Sequence, residues 1–440
     1  MLGIIRIVVV WCIIVAGVSE GIWGLMQVYG LVVSKHSLYA LTGSFYNPGP
    51  YSGFLAMCLP LALHEWLLGK RGWKYAGGVA SVLMLVVLPS GMSRSAWLAA
   101  LVASGYVVVM KHPEKLKIWI QKYRKTFLFT LTLLVVLSFS AYHWKKDSAD
   151  GRLLMWKVAS LALKEHSWQG VGWERVAGAY GDAQEKYFAS GMASAQEEYV
   201  AGAPEYVFNE YLQVAIAWGI PVLFVLLTIV SCCFYAGHRG GHFGACGGLL
   251  SLGIFAFSSY PFQFMEFILA FIALLVVCVM SCQKVWVQML ALLLGVGTSI
   301  YLKEKRPQKN VREWFERAHS LHKAEEWEAS TEMMKELMKV SSDAMILNII
   351  GKNCQALDQY EQAEEWFIRS TYRLPNRIYP YYLLAKLYAE VPHIFPREKL
   401  EWAVRMVQEK NAKVESTAIR QMREEAKKLL EEIKKGSENR

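Results

Sequence analysis

Gly151-Arg152-Leu153-Leu154-Met155-Trp156, His166-Ser167-Trp168-Gln169-Gly170-Val171-Gly172-Trp173 and Glu205-Tyr206-Val207-Phe208-Asn209-Glu210-Tyr211-Leu212-Gln213 mark the start, middle and end of one long polar stretch, residues 143–210. On either side the chain is a succession of apolar runs joined by short links. Loops carry binding groups while spans supply scaffold, so a single large polar insertion is where a membrane protein keeps its chemistry. Such a chain folds as an all-α polytopic membrane bundle.

Of the 440 residues 54% are hydrophobic, and the mean hydropathy is +0.23, too apolar for an ordinary soluble domain. The average conceals two halves. Apolar runs continue to about residue 302, and a Lys/Glu-rich tail with helical periodicity follows. The chain therefore divides into a transmembrane domain over 1–302, carrying the extracytoplasmic loop 143–210, and a tail domain over 303–440. The net charge of +10 is spread over links and tail, which is the signature of membrane topology and excludes a nucleic-acid partner. Seven of the eight cysteines lie in or beside apolar runs, Cys354 lies in the tail, and none lies in the loop. Neither a disulfide framework nor Cys/His zinc spacing is present, so no metal and no cofactor are expected.

Nine spans are predicted. The first covers residues 4–29; its first half also reads as a signal peptide with cleavage near Ser19, but the apolar pattern resumes after Glu20. Glu20 is then an ionisable group at membrane depth, either functional, or snorkelling near the outer interface, or hydrogen-bonded inside the bundle. The turn Phe45-Tyr46-Asn47-Pro48-Gly49-Pro50 cannot continue a helix. Spans follow at 51–68, from the link 70–74 to about Leu88, to about Met110 after the turn Pro89-Ser90-Gly91-Met92-Ser93-Arg94-Ser95, and to about Tyr142. Beyond the loop, spans are read at 211–236, 243–259, 262–281 and 285–302, each long enough for about 30 Å of hydrocarbon at about 1.5 Å per residue, though the third is short. Basic links at 70–74, 111–125, 238–239 and 283–284 share one parity, which places the Asn47 turn, the Arg94 turn, the loop and the tail on the opposite, non-cytoplasmic side. Lys303-Glu304-Lys305-Arg306 breaks the pattern; if the last span does not cross, the tail is cytoplasmic.

In the tail, Leu347-x-x-Ile350-Gly351-x-x-Cys354, Ala363, Phe367 and Pro375 place small and large residues where a 34-residue helical hairpin needs them. One unit earlier Ala329 and Met333 take the places of Ala363 and Phe367; one unit later Tyr381, Leu384, Ala385 and Tyr388 restate the start. Residues 310–395 thus resemble a tetratricopeptide solenoid, and Ser416–Lys435 reads as a charged capping helix. A generic helical hairpin bundle is the alternative.

Several motifs occur in order: Gly24-Leu25-Met26-Gln27-Val28-Tyr29-Gly30, Gly43-Ser44-Phe45-Tyr46-Asn47-Pro48, Ser93-Arg94-Ser95-Ala96-Trp97, Arg152-x-x-x-Trp156, Gly170-x-Gly172, and Asn209-Glu210-Tyr211-Leu212-Gln213 followed by Gly219. Together they resemble the O-antigen ligase family, with its relatives the O-antigen polymerases and protein O-oligosaccharyltransferases. The resemblance covers about residues 20–230. It implies a membrane glycosyltransferase that moves a glycan from undecaprenyl diphosphate to an acceptor, either a lipid A core or a protein hydroxyl, at the periplasmic face of the inner membrane. The tetratricopeptide tail would then dock a protein partner.

The residue types suit that reaction. A diphosphate leaving group needs its charge neutralised, and the guanidinium fork does this without a metal. Arg94, beside Ser93, and Arg152 are the candidates; a headgroup-binding Arg94 and an Arg152 paired with Asp150 are the structural alternatives. Asn209 and Trp156 are candidate sugar or phosphate contacts, although tryptophans at an interface also anchor helices. The resemblance implies a histidine base just before Asn209, where this chain has Phe208. Phenylalanine cannot move a proton. Either Glu210, Glu205 or His166 substitutes, or transfer needs less base assistance, or the chain is a catalytically inactive scaffold that presents its repeats. Family members also carry further spans before the segment that matches Ile22–Gly30, so the chain reads as a short variant or the product of an alternative start. A transporter would show internal symmetry between halves, and none is seen.

Overall fold

The computed structural model describes residues 2–111, 114, 122, 146–280 and 311–438. Every regular element among them is helical. In chain order these are α1 (Leu2–Val28), α2 (Pro48–Leu68), α3 (Arg71–Val87), α4 (Arg94–Lys111), α5 (Lys146–Glu165), α6 (Val176–Ala189), α7 (Ala195–Val200), α8 (Glu210–Trp218), α9 (Ile220–Arg239), α10 (Phe243–Ala256) and α11 (Met265–Val279). The tail follows with α12 (Val311–Lys323), α13 (Trp327–Met338), α14 (Ala344–Ala356), α15 (Tyr360–Arg373), α16 (Tyr379–Glu390), α17 (Arg397–Glu409) and α18 (Thr417–Glu438). Most of the basic link 111–125, the span ending near Tyr142, the span 285–302 and the basic run 303–306 lie outside the described residues.

The chain groups into two compact units. The first holds Met1–Ala141, Phe208–Tyr211 and Pro221–Arg306; the second holds Tyr142–Val207, Leu212–Ile220 and Pro307–Arg440. The polar stretch therefore belongs with the tail.

In the first unit α2 is central. Every residue from Pro50 to Ala62 is buried, as expected of a helix apolar all round and enclosed by others. It packs against α1, α3, α4 and α10, and α11 completes the bundle against α1 and α10. Four described helices are long and apolar enough to cross a membrane, Gly3–Val28, Pro48–Leu68, Gly72–Gly91 and Ile220–Arg239, and Phe243–Ala256 and Met265–Val279 are shorter apolar helices. A multi-pass membrane protein follows from these spans. Three predicted spans need correction: 243–259 and 262–281 are the shorter helices α10 and α11, of 14 and 15 residues, and the apolar run 211–236 is broken at Gly219, whose φ is +86°, so α8 ends at Trp218 and the membrane-length helix starts at Ile220.

The turn between α1 and α2 is tied to α1 by two polar side chains. Gln27 Oε1 accepts the backbone N–H groups of Thr42 (2.9 Å) and Gly43 (2.7 Å). Glu20 Oε2 accepts the N–H of Ser44 at 3.0 Å, and the Tyr51 hydroxyl donates to the Glu20 carbonyl at 3.0 Å. Gly43 is required there: its φ is +57°, and a Cβ would fall 2.3 Å from both Glu20 Oε2 and the Tyr51 ring. Glu20 is thus hydrogen-bonded to the turn. Gln27→Ala orphans two buried N–H groups and should cost about 2–4 kcal/mol. The check is the thermal midpoint of purified protein in detergent; an unchanged midpoint would show that water replaces the amide.

In the second unit the tail helices pack each on the next, from α12 to α18, and α18 returns to α16. The α14–α15 pair approaches closely at Gly351, where a Cβ would lie 2.4 Å from the Phe367 ring. Leu347, Ile350, Cys354, Ala363 and Phe367 are all buried, as are Tyr381, Leu384, Ala385 and Tyr388 one unit on. The earlier unit is shifted by one residue from the sequence expectation. Ser330 and Met334 are buried there, while Ala329 is exposed. The Ser330 hydroxyl is satisfied by the Ala318 carbonyl at 2.9 Å, which lets a polar small residue take the close-contact position. The polar stretch contributes α5, α6 and α7, with α6 packed on α15, and its apolar cluster includes Ala344 and Leu374 of the tail.

Candidate functional site

Alternation of the helices brings several turns to one end of the first unit. The Arg94 turn meets the start of α2, because Gly91 lies against Ser52, where a Cβ would strike the hydroxyl at 1.8 Å. The Ser52 hydroxyl is itself held by the Pro48 carbonyl at 2.8 Å. At the head of α2 Asn47 accepts the Gly49 N–H at 2.9 Å as its N-cap, with Pro48 in the first turn. Phe45 behind it packs on Phe54, Phe264 and Phe267. Arg94 opens α4 and is half-buried, and the Ser93 and Ser95 hydroxyls stand 3.4 Å apart beside it.

The Phe208–Tyr211 tetrad joins the same end. Asn209 Oδ1 accepts the Tyr211 N–H at 3.0 Å, and the Tyr211 hydroxyl donates to the Gly253 carbonyl at 2.8 Å. Glu210, in the first turn of α8, is only 3% exposed; its Oε1 accepts the Phe262 N–H at 2.8 Å. A carboxylate at a helix N-terminus is favoured by the helix dipole as well. Phe208 sits at φ +53° with its ring edge-on to Tyr260 at 4.7 Å. A non-glycine residue in that region is held against a steric preference by its surroundings. The turn Ser258-Ser259-Tyr260-Pro261-Phe262, which receives both Phe208 and Glu210, was not singled out in the sequence. Its signal was a Pro-containing turn between two apolar spans, on the same parity as the loop.

The remaining candidates lie in the second unit. Arg152 and Trp156, one turn apart on α5, are half-buried. His166 ends that helix, its N–H donating to the Leu163 carbonyl at 3.1 Å, and it lines a cavity of about 670 Å³ with Arg175, Asp182 and Lys186. Glu205 is exposed and lines another cavity, of about 920 Å³, with Trp173, Arg312 and Arg377. His166 and Glu205 thus line different cavities of the second unit, and Glu210 is the one that shares a unit with Arg94, Ser93 and Asn209. Among the described residues no three His, Cys, Asp or Glu side chains are grouped as metal ligands.

The Gly170-x-Gly172 motif and Gly219 close one structural clip. Val171 and Gly172 donate their N–H groups to the carbonyls of Ile216 and Ala217, each at 2.9 Å, and Ile220 donates to the Ser167 carbonyl at 2.8 Å. Carbonyls at the end of α8 are thereby satisfied, as a helix C-terminus requires. Trp173 stacks on Trp218 at 5.1 Å beside the clip, whereas Trp168 is 79% exposed. A capping box closes α7: Ser194 accepts the Glu197 N–H, and the Glu197 carboxylate accepts from Ser194. Burial pushes that carboxyl up, but Lys157, Ser194 and Tyr187 donate to it and together hold its pKa at about 2.

No curated protein matches the chain. Residues 79–227 match the family model described as O-antigen ligase. That segment carries Arg94, Arg152, the Gly170-x-Gly172 clip and the whole Phe208–Gln213 motif, and it supports placing the chain with the O-antigen ligase family.

Proposed function

We propose that the protein is a glycosyltransferase of the O-antigen ligase type in the inner membrane, transferring a glycan from undecaprenyl diphosphate to an acceptor hydroxyl of a lipid A core or a protein. The family match over residues 79–227 carries this reading. An acceptor oxygen attacks the anomeric carbon, the bond from that carbon to phosphate breaks, and undecaprenyl diphosphate leaves with the electron pair. Arg94 and Arg152 are assigned to the diphosphate, whose growing negative charge a guanidinium fork stabilises in a water-poor site. Ser93, Asn209 and Trp156 are assigned to sugar or phosphate contacts. Glu210 is the favoured proton acceptor over His166 and Glu205, because it stands beside Asn209 and belongs to the unit that holds Arg94. The loop and the tail are placed in the periplasm, and the tail is read as tetratricopeptide units with faces for a protein partner.

Arg94→Ala and Arg152→Ala should each lower glycan transfer by at least about 100-fold, the scale of losing one preorganised donor to a developing anion. The measurement is surface glycan on gels, with expression of each variant checked in membranes. Unchanged glycan at normal expression removes that arginine from the mechanism. Separate analysis of glycolipids and glycoproteins in a deletion strain identifies the acceptor and separates ligation from polymerisation.

Phe208 favours one rival reading, a catalytically inactive ligase-like scaffold. Its ring fills the place where the family resemblance expects a base, and it is packed on Tyr260. Complementation of a ligase-deficient strain separates the two, since a scaffold restores no glycan.

A further inference from the structure

From α7 to the start of α8 the chain runs Ala201-Gly202-Ala203-Pro204-Glu205-Tyr206-Val207-Phe208-Asn209 without helix or strand. Backbone groups in such a stretch still need partners once they are buried, and Ala201 and Val207 are 1% and 2% exposed. Side chains supply those partners. Asn376 Nδ2 donates to two carbonyls, Tyr199 at 3.0 Å and Ala201 at 2.7 Å. Ser342 Oγ donates to the Pro204 carbonyl at 3.0 Å, and Lys413 Nζ to the Ala201 carbonyl at 3.2 Å. Gln184 Nε2 of α6 takes the Gly202 carbonyl at 3.0 Å.

Three of these four donors belong to the tail, and their positions are regular. Ser342 lies in the connection between α13 and α14, Asn376 in that between α15 and α16, and Lys413 in that between α17 and α18. Each successive helix pair thus offers one donor from the same kind of connection. Asn376 and Ser342 are buried, at 9% and 4% exposure. At the head of the segment Lys410 pairs with Glu198 at 2.5 Å. What is gripped is main chain, the carbonyls of Tyr199, Ala201, Gly202 and Pro204, and Ala201 and Gly202 are small. That is how a protein holds an extended peptide, with backbone hydrogen bonds for affinity and small side chains permitting close approach.

We infer that the connections 339–343, 374–378 and 410–416 of the tail form a peptide-binding surface whose occupant is this chain's own Tyr199–Val207 segment, with Asn376 as its principal grip. The surface is filled from within, so an outside protein does not dock there. The segment it holds runs directly into Phe208, Asn209 and Glu210, and the tail acts as a clamp on the chain that delivers them. The inference does not depend on the sugar-transfer reading, and its test reads structure and not transfer.

The test uses the full-length protein in membranes or nanodiscs. Amide hydrogen exchange at Ala201 and Val207, whose N–H groups are held by the Glu197 carbonyl and by Gln213 Oε1, should be protected in the parent protein and at least about 10-fold faster in Asn376→Ala, since the loss of both Asn376 bonds frees the segment to open while α14 and α15 keep theirs. Glu401→Ala, on an exposed residue of α17, should leave that exchange unchanged. In a second measurement a Pro204→Cys/Ser342→Cys pair should be joined by a short bifunctional thiol reagent in intact membranes, with each single-cysteine variant as the blank. Should Asn376→Ala disturb the fold as a whole, the cross-link alone decides. Absent cross-linking, unprotected amides in the parent, or exchange indifferent to Asn376→Ala in a folded protein would each overturn the inference and return the surface to an outside partner.

Discussion

Arg373→Ala is expected to destabilise the second unit by about 3–5 kcal/mol, the usual cost of removing one partner from a buried ion pair. The Arg373 side chain is 1% exposed and reaches two carboxylates, Asp182 at 2.7 Å and Glu185 at 3.0 Å. Its own carbonyl accepts from Gln184 Nε2 at 2.5 Å. The two partners differ in what they lose. Asp182 is 54% exposed and returns to water, whereas Glu185 is 15% exposed and keeps Arg369 at 2.6 Å. The penalty therefore comes from a void and from a half-neutralised buried carboxylate. Arg373→Met fills the void and should cost clearly less. For a unit of this size the alanine variant should lower the melting temperature on the order of 10 °C, read by protease resistance of the polar stretch during a thermal ramp. Equal melting of the parent and the alanine variant would show that the guanidinium contributes nothing net.

Gly219→Val should be more damaging still. The residue sits at φ +86°, and a Cβ there would lie 2.0 Å from the Trp168 carbonyl oxygen. Backbone is the obstacle, so no side-chain rotation relieves the clash, and a β-branched residue also resists a positive φ. The 167–172 clip would have to leave the end of α8, releasing the carbonyls of Ile216 and Ala217. A loss above about 4 kcal/mol belongs to this class of combined defect. Gly191→Ala is the control: its φ is +70° but nothing lies within 4 Å of the added carbon, so only the conformational cost of about 1 kcal/mol applies. Size-exclusion profiles of the two variants in detergent distinguish them. If Gly219→Val eluted as a folded species like the control, the clip would not be what ends α8.

Much of the fold is written in local pattern. Apolar runs located α1, α2, α3, α10 and α11, because a helix in lipid has to be apolar along its length. Asn47-Pro48 announced the head of α2 through cap chemistry that needs only neighbours in sequence. The tail pairs were visible for the same reason, a small residue facing a ring within one hairpin. Where local pattern does not decide, the deciding contact is remote or hidden by composition. The break at Gly219 hides inside a continuous apolar run, and it is set by Trp168 some fifty positions earlier. Ser330 and Met334 took the buried register because a hydroxyl can be satisfied across a helix pair, which a one-unit offset does not reveal. Of the proposed site residues, Arg94, Asn209 and Glu210 fall in one unit, and the partner of Glu210, the N–H of Phe262, is a backbone group that no motif marks. The motif glycines 43, 170 and 219 and Gln27 turn out to shape backbone, so part of what reads as a signature of chemistry is a signature of architecture.

The hydrogen bond from Gln184 to the Arg373 carbonyl spans 189 positions of chain, and it fixes an order of events in biosynthesis. At about 5–20 residues per second, a ribosome needs on the order of 10–40 s to travel from one partner to the other. Throughout that interval the nascent polar stretch has emerged without the helices that complete its core. A premature stop codon ahead of Arg373 would therefore strike a segment made long before it, leaving that segment to holdases and proteases.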